Sequence, residues 1–177
     1  MNKLAMLLAT WFGSGLIPPI LLKGMAGAYG SFFSLPLCAG MMWWGSKYPP
    51  FSVGSWLGTI AVFVLLFIGL WSVPRAEKIL GPCRDWHGRV KAHDQNQIVI
   101  DEVLGMVFAC YPLLMFAIPP SWLNLAAVFL LFRFFDIVKI PPAGFVDRHQ
   151  HNELGVMLDD LIAGFYAALV IMFLHLY

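Results

Sequence analysis

Five long apolar stretches constrain this chain of 177 residues more than any other feature. Each approaches or exceeds the roughly 20 residues that an α-helix needs to cross the hydrocarbon core of a bilayer. Hydrophobic residues make up 60% of the sequence and charged residues only 12%, a balance that is unusual for a water-soluble domain. We therefore predict an all-α fold: a polytopic membrane helical bundle that forms a single domain over residues 1–177. The predicted spanning helices, about five, cover 27–45, 52–73, 98–118, 121–138 and 154–177.

The distribution of positive charge predicts how these helices are oriented, because cytoplasmic loops collect Lys and Arg. Segment 74–97 carries five basic residues, and segment 139–153 carries Lys139 and Arg148. We expect both segments to face the cytoplasm. The link 117–122 has no charged residue, and we expect it on the opposite side of the membrane.

The segment up to about residue 23 is apolar as well, but we do not predict that it crosses the membrane. One more crossing would place segment 74–97 outside the cytoplasm. Two glycines and two prolines also interrupt a helix before it reaches the ~18 residues of a short span. We predict an interfacial or re-entrant N-terminal helix instead. The interrupting residues are Gly13, Gly15, Pro18 and Pro19.

Net charge and cysteine content exclude two other classes of protein. The formal net charge is only +1, and no basic face with interleaved aromatic residues occurs, so we predict no nucleic-acid partner. The three cysteines are odd in number and far apart, and they form neither a disulfide framework nor a zinc-binding spacing. The bilayer is therefore the expected environment, and the sequence does not indicate an oligomeric state.

Acidic residues interrupt three of the apolar stretches at similar depths. About 18 residues separate Asp101 from the turn near Pro119, and about 16 lead from the turn back to Asp136. At ~1.5 Å per residue, the two helical legs match within a few ångström. Asp159 and Asp160 lie one to two turns inside the helix that leaves from the same side. With Glu102, next to Asp101, five carboxylates are expected at one level near the cytoplasmic boundary.

Such a group of acids needs positive charge nearby, because like charges repel and their desolvation is costly. Arg133 and Lys139 lie three residues before and three residues after Asp136, on one helical face. Two cations do not neutralise five acids, and a divalent metal ion would make up the difference. Ligands that are all oxygen favour Mg²⁺ or Mn²⁺ over zinc. The structural alternative is that Asp101 and Glu102 only interact with the dipole at a helix start, but ionisable groups within membrane helices are generally functional.

These residues carry a resemblance to a known family. In the order and spacing of its motifs over about the last 80 positions, the chain resembles the phosphatidylglycerophosphatase A family of bacterial inner-membrane phosphatases. The matching segments are "FGSGLIP" (12–18), "DEVLGM" (101–106), "FRFFDIVKIPP" (132–142), "DRHQHNELGVMLDD" (147–160) and "AG" (163–164).

The resemblance implies an activity, a cofactor and a location. It implies hydrolysis of phosphatidylglycerol phosphate to phosphatidylglycerol and inorganic phosphate in phospholipid biosynthesis, with Mg²⁺ required. It also implies an all-α fold packed around a central helix, in the bacterial cytoplasmic (inner) membrane. The family usually has a "PGTxGS" loop after its first motif, and only "GAYGS" (27–31), which lacks the Thr, is its counterpart here.

The hypothesis that joins both arguments assigns roles by charge. The acids form the catalytic centre and include the metal ligands, whereas the basic residues bind the phosphate and headgroup of the substrate on the cytoplasmic side. The nucleophile is either a metal-bound water or one of the aspartates. The acids are Asp101, Glu102, Asp136, Asp159 and Asp160, and the basic residues are Arg133, Lys139 and Arg148. His149 and His151 share the loop of Arg148 and are either headgroup contacts or solvated.

Three other functions fit parts of the sequence. Cys83 and Arg89 have the spacing of a cysteine-dependent phosphatase, but no strand is predicted before them to carry a phosphate cradle. A CDP-alcohol phosphatidyltransferase-like enzyme would also use clustered aspartates and Mg²⁺, but the "DGxxAR…GxxxDxxxD" pattern of that class is missing. A membrane cation transporter would place acids in its pathway, yet nearer to the middle of the bilayer than these acids are expected.

Overall fold

The computed structural model describes residues 2–17, 26–84, 90–91, 95–141 and 153–176. A helix lies in each of the five predicted ranges, and a short one precedes them. The described helices are α1 (Asn2–Ala9), α2 (Ala26–Gly45), α3 (Val53–Leu80), α4 (Ile100–Met115), α5 (Trp122–Val138) and α6 (Glu153–Leu176). The all-α fold class is confirmed for this part of the chain.

Two short features accompany the helices. A 3₁₀-helix over Ser14–Leu16 follows α1. Between α3 and α4, the two-residue strands β1 (Cys83–Arg84) and β2 (Val90–Lys91) pair antiparallel. Neither feature is predictable from the sequence, because both are too short to produce a hydrophobic period.

Helix α4 is the centre of the molecule. It packs against α2, α3, α5 and α6, and 12 of its 16 residues are buried. A helix that is apolar on every face is stable where other helices cover every face. The central helix implied by the family resemblance is therefore present, and it begins with the acidic pair Asp101 and Glu102.

Glycines bring α4 and α6 into backbone contact. A methyl group on Gly164 would overlap the carbonyl oxygen of Gly105, and one on Gly105 would lie 2.7 Å from the carbonyl oxygen of Asp160. Only residues without a side chain allow two helices to approach so closely. This contact fixes Asp160 on α6 beside the first turns of α4.

Helix α3 is longer than predicted. We expected its span to end at residue 73, whereas the helix continues through Pro74 to Leu80. Gly81, with φ of 71°, then ends the helix and donates its backbone N–H to the carbonyl of Glu77 at 2.9 Å. The predicted end follows hydropathy, and the charged residues Arg75, Glu77 and Lys78 end the apolar stretch before the helix itself ends.

Two segments in the described part of the chain are long and apolar enough to cross a membrane, Trp56–Leu80 in α3 and Leu154–His175 in α6. Helices α4 and α5, with 16 and 17 residues, are shorter than this. Large apolar side chains nevertheless cover the outer surface of the bundle, as expected of a membrane protein. They include Trp56, Phe63 and Phe67 on α3, Leu130, Phe134 and Ile137 on α5, and Phe165, Phe173 and Leu174 on α6.

The N-terminal segment packs against the end of the bundle where α4 begins. Helix α1 has only 8 residues, which is too short to cross a bilayer. The backbone N–H of Val99, the residue before α4, donates to the carbonyl of Ala9 at 2.9 Å. A side chain on Gly15 would meet the backbone of Gln97. The segment therefore lies at the same end of the molecule as the acidic pair of α4.

Candidate active site

Three carboxylates meet at the first turns of α4 and α6. One oxygen from each of Asp101, Glu102 and Asp160 lies within 4.8 Å of the other two. Asp101 and Asp160 are only 7% and 5% exposed. The Oε2 atom of Glu102 is buried and has no hydrogen-bond partner among the described residues. We call these three residues the acidic triad.

The local sequence explains why α4 carries two members of the triad. Asp101 and Glu102 lie in the first turn of the helix, where unpaired backbone N–H groups favour negative charge. The Oδ1 atom of Asp101 accepts the backbone N–H of Glu102 at 3.0 Å. Asp159 accepts the N–H of Asp160 in the same way, also at 3.0 Å. In both pairs a carboxylate oxygen of the first acid accepts a hydrogen bond from the backbone N–H of the second.

The other two acids each face a cation. Arg133 Nη1 lies 2.8 Å from Asp136 Oδ2, three residues further along α5. Lys139 Nζ lies 2.9 Å from Asp159 Oδ2, which connects the end of α5 to α6. Asp136 and Asp159 also interact electrostatically with Asp160. The structure thus brings the five predicted acids and two of the predicted cations into one group.

Lys139 reaches α6 because of an unusual backbone conformation. It caps the C-terminus of α5 in the left-handed region, with φ of 48° and ψ of 58°, and its N–H donates to the carbonyl of Phe135 at 2.9 Å. Residues other than glycine adopt this region at a cost of roughly 1–2 kcal/mol. Such strain is found where the side chain is needed in a particular place.

The first turns of α2 form a further wall of the site, and its residues are not among the predicted site residues. Arg133 Nη1 donates to Ser31 Oγ at 3.5 Å, and that hydroxyl donates to the carbonyl of Gly27 at 3.0 Å. A methyl group on Gly27 would overlap Glu102 Oε1. The sequence signal was the segment "GAYGS", which we matched to a family loop without giving its residues a role.

Several predicted residues cannot be assigned a position. Arg148, His149 and His151 lie outside the described residues, and so does Arg89. The backbone of Cys83 forms part of β1, directly after α3 and its Gly81 cap. A headgroup role for Arg148 therefore stays a prediction.

The donor set of the triad suits a hard divalent cation. Its side chains offer only carboxylate oxygens, which Mg²⁺ and Mn²⁺ prefer. The unpartnered Glu102 Oε2 is a buried acceptor for which the described residues supply no donor. Arg133 and Lys139 stand beside this group with donors that match phosphate oxygens. Together these groups could hold a cation and a phosphate side by side.

Comparisons with known proteins agree with this chemistry. The family model described as phosphatidylglycerophosphatase A matches residues 7–175. A phosphatidylglycerophosphatase A of Escherichia coli (strain K12) is 30% identical over 169 residues, which cover 95% of this chain and 81% of the relative. The enzyme of the same name from Haemophilus influenzae is 34% identical over 170 residues, covering 93% of this chain and 85% of the relative.

A third relative has a different name. The Bacteroides thetaiotaomicron protein, provisionally named a phosphatidylinositol-3-phosphatase, is 34% identical over 176 residues, covering 95% of this chain and 91% of the relative. No solved structure is significantly similar to the chain. The match to the family model extends over nearly the whole sequence and includes all the residues of the acidic triad. This chain therefore belongs to the phosphatidylglycerophosphatase A family.

Proposed function

We propose that this protein hydrolyses phosphatidylglycerol phosphate to phosphatidylglycerol and inorganic phosphate. In this reaction the oxygen of water bonds to phosphorus, the ester P–O bond breaks, and the departing glycerol oxygen takes up a proton. The observation that carries the proposal is the buried acidic triad beside Arg133, in a chain of this family. The names of the Escherichia coli and Haemophilus influenzae relatives support the choice of substrate.

The acidic triad is the proposed site for Mg²⁺, with Mn²⁺ as a substitute. When bound, the cation would supply positive charge to the phosphoryl oxygens. Asp101, Glu102 and Asp160 would hold it, because their oxygens already lie within 4.8 Å of one another and one of them has no donor. This narrows the predicted ligand set from five acids to three.

Asp136 and Asp159 have a different role in this proposal. Each lies within 3 Å of a cation, so its charge is already compensated. Asp136 orients the guanidinium of Arg133, and Asp159 orients the ammonium of Lys139 toward the same group. Arg133 and Lys139 then bind the phosphate oxygens, where charge builds up in the transition state. Water and an aspartate both remain candidate nucleophiles.

The membrane arrangement that we propose is the five-span scheme, with the site facing the cytoplasm. The apolar outer surfaces of α3, α5 and α6 support contact with lipid on several sides of the bundle. The lipid in the names of the bacterial relatives supports a location at a membrane, and we propose the cytoplasmic membrane. The acyl chains of the substrate would stay in the bilayer while its phosphate reaches the acids.

Phosphate release from a short-chain phosphatidylglycerol phosphate in detergent tests the proposal. We expect release with Mg²⁺, loss of release in EDTA, and recovery when Mg²⁺ is added back. A short-chain phosphatidylinositol 3-phosphate serves as the second substrate, because one relative carries that name. A preference for the inositol lipid would change the proposed substrate but leave the proposed phosphatase activity in place. A folded protein that releases no phosphate from either lipid would overturn the proposal.

Cys83→Ser separates this mechanism from cysteine-dependent catalysis. The proposed site contains no thiol, so the variant should keep the wild-type rate. A folded Cys83→Ser protein without activity would instead require a thiolate nucleophile.

A further inference from the structure

We propose that the first two turns of α2 set the distance between the metal site and the phosphate-binding site, with Gly27 and Ser31 as positioning residues. Gly27 leaves the space that the Glu102 carboxylate occupies, and Ser31 holds the guanidinium of Arg133. The inference rests on the proposed function, because it assigns Glu102 to the cation and Arg133 to the phosphate.

The contact at Gly27 is the first observation. A Cβ atom at this position would overlap Glu102 Oε1 and would lie 3.1 Å from Glu102 Cδ and 3.2 Å from Arg133 Nη1. The space left by the absent methyl group of Gly27 is thus bordered by the side chains of both Glu102 and Arg133. Any residue other than glycine here would displace the carboxylate, the guanidinium or α2 itself.

The hydrogen bonds of Ser31 are the second observation. Ser31 is fully buried, and its hydroxyl donates to the carbonyl of Gly27 at 3.0 Å while it accepts from Arg133 Nη1 at 3.5 Å. The same guanidinium nitrogen lies 2.8 Å from Asp136 on α5. The guanidinium of Arg133 therefore has contacts from two helices, Asp136 on α5 and Ser31 on α2. The contact from α2 lies on the side of Glu102.

The position of Glu102 is the third observation. Its buried Oε2 has no hydrogen-bond partner among the described residues, so packing rather than hydrogen bonding holds this oxygen. The other oxygen of the same carboxylate, Oε1, lies where a Cβ atom of residue 27 would be, against the bare backbone of Gly27. Displacing Oε1 moves the whole rigid carboxylate, and Oε2 has no hydrogen bond among the described residues to resist that movement. The geometry of the metal site therefore depends on this glycine.

Gly27→Ala with Gly40→Ala as its control tests the steric part. Both positions lie in α2, and both substitutions introduce a better helix former. A Cβ at Gly40 meets no atom within 4 Å. We expect Mn²⁺ binding, measured by electron paramagnetic resonance on detergent-solubilised protein, to weaken at least tenfold in Gly27→Ala and to stay unchanged in Gly40→Ala. Wild-type Mn²⁺ affinity together with wild-type kcat in Gly27→Ala would overturn the inference.

A compensating variant covers the case in which Gly27→Ala does not fold. Glu102→Asp shortens the acid by one methylene and withdraws its oxygens from the new methyl group. The double variant Gly27→Ala/Glu102→Asp should therefore recover the thermal unfolding transition that Gly27→Ala lacks. If the double variant also fails to fold while Glu102→Asp alone folds, a clash with Glu102 is not the cause, and the proposed role of Gly27 is overturned.

Ser31→Ala with Ser34→Ala as its control tests the hydrogen-bonding part. Both serines are fully buried, and each donates its hydroxyl to a backbone carbonyl of α2. Of these two serines, Ser31 accepts a hydrogen bond from Arg133, and no such bond to Ser34 is found among the described residues. We expect KM for the short-chain substrate to rise at least threefold in Ser31→Ala, with Mn²⁺ affinity unchanged, and to stay at the wild-type value in Ser34→Ala. Equal KM values for the two variants would contradict the role of Ser31.

The wild-type protein in the same assays separates the two proposals. If it neither binds Mn²⁺ nor releases phosphate, the proposed function fails and this inference fails with it. If the wild type does both and the Gly27 and Ser31 variants behave like their controls, only the inference about α2 fails.

Discussion

Asp159 and Asp160 are neighbours in the sequence, yet their surroundings differ. Asp159 lies 2.9 Å from the ammonium of Lys139. Asp160 is more deeply buried and lies with Asp101 and Glu102 in the acidic triad. In the proposed mechanism the carboxylate of Asp159 therefore orients the ammonium of Lys139, whereas the carboxylate of Asp160 holds the metal ion.

The two aspartates provide a matched test of this difference. Asp160→Asn should weaken Mn²⁺ binding at least 100-fold, because a charged ligand becomes a neutral amide. Asp159→Asn should leave Mn²⁺ affinity within about threefold of the wild type and raise KM, because Lys139 loses its ion pair with the Asp159 carboxylate; a tenfold change in affinity corresponds to ~1.4 kcal/mol. Titration by electron paramagnetic resonance and steady-state kinetics measure the two effects. If Asp159→Asn and Asp160→Asn lose equal Mn²⁺ affinity, Asp159 is a metal ligand as well.

For a substitution at Lys139 we predict a loss of activity with little change in stability. Lys139→Gly relieves the left-handed backbone conformation, but it also removes the ion pair with Asp159, so we expect a change in unfolding free energy of less than about 1 kcal/mol. Activity should fall at least tenfold, since a phosphate-binding charge is lost. Thermal unfolding in detergent and phosphate release measure the two quantities.

Ala117 is the control for this variant. It lies in the turn after α4 with φ of 54°, at the other end of the helix from the acids. Ala117→Gly should raise stability by up to about 1 kcal/mol and leave activity unchanged. A fully active Lys139→Gly protein would remove Lys139 from the proposed phosphate site.

At the scale of helices, the contact of α4 with α6 decides whether the triad exists. Gly105→Ala would overlap the ring of Phe132 and approach the carbonyl oxygen of Asp160 to 2.7 Å. We expect a loss of about 1–3 kcal/mol from overpacking, together with a loss of Mn²⁺ binding as Asp160 moves away from α4. Gly40→Ala, in open space on α2, should instead be neutral or slightly stabilising. An increase in the unfolding temperature of Gly105→Ala would contradict the close packing.

The helices could be predicted from sequence because their signal is local. Long apolar runs located α2, α4, α5 and α6 and the start of α3 within a few residues, whereas the end of α3 lies seven residues beyond its predicted end. The positions of the acids along those runs indicated that they would meet. The ion pair of Arg133 with Asp136 follows from a spacing of three residues on one helix. Each of these conclusions needs only the rise and period of an α-helix.

The remaining parts of the site depend on how helices pack against one another. The pair of Lys139 with Asp159 joins two helices through a left-handed cap, which no helical period predicts. Gly27 and Ser31 have no ionisable group, and they belong to the site only because α2 lies against Glu102 and Arg133. Small residues at a helix contact leave a weak sequence signal, since they occur at many contacts without catalytic function.

The orientation of the whole molecule leads to a prediction about labelling. In the proposed scheme Lys47 lies on the outer side of the membrane and Lys78 on the cytoplasmic side, and both are exposed. Cys38 and Cys110 are buried, so a Cys83→Ser background should give little labelling. In intact cells, a membrane-impermeant maleimide should label Lys47→Cys and should reach Lys78→Cys only after the cells are opened. The reverse pattern would invert the topology.

The extra length of α3 gives the molecule a step at the end where the acids lie. Thr59 bonds Tyr111 of α4 at 3.0 Å, and Gly69 faces Met157, one turn before Asp160. The helix then continues over residues 70–80, a length of about 16 Å, with α1 packed along α3. Measured along α3, the acids therefore lie two to three turns below the end of this helix. In the proposed membrane arrangement the acids would thus lie below the cytoplasmic end of α3, so the phosphate of a lipid could reach them while its acyl chains stay in the bilayer.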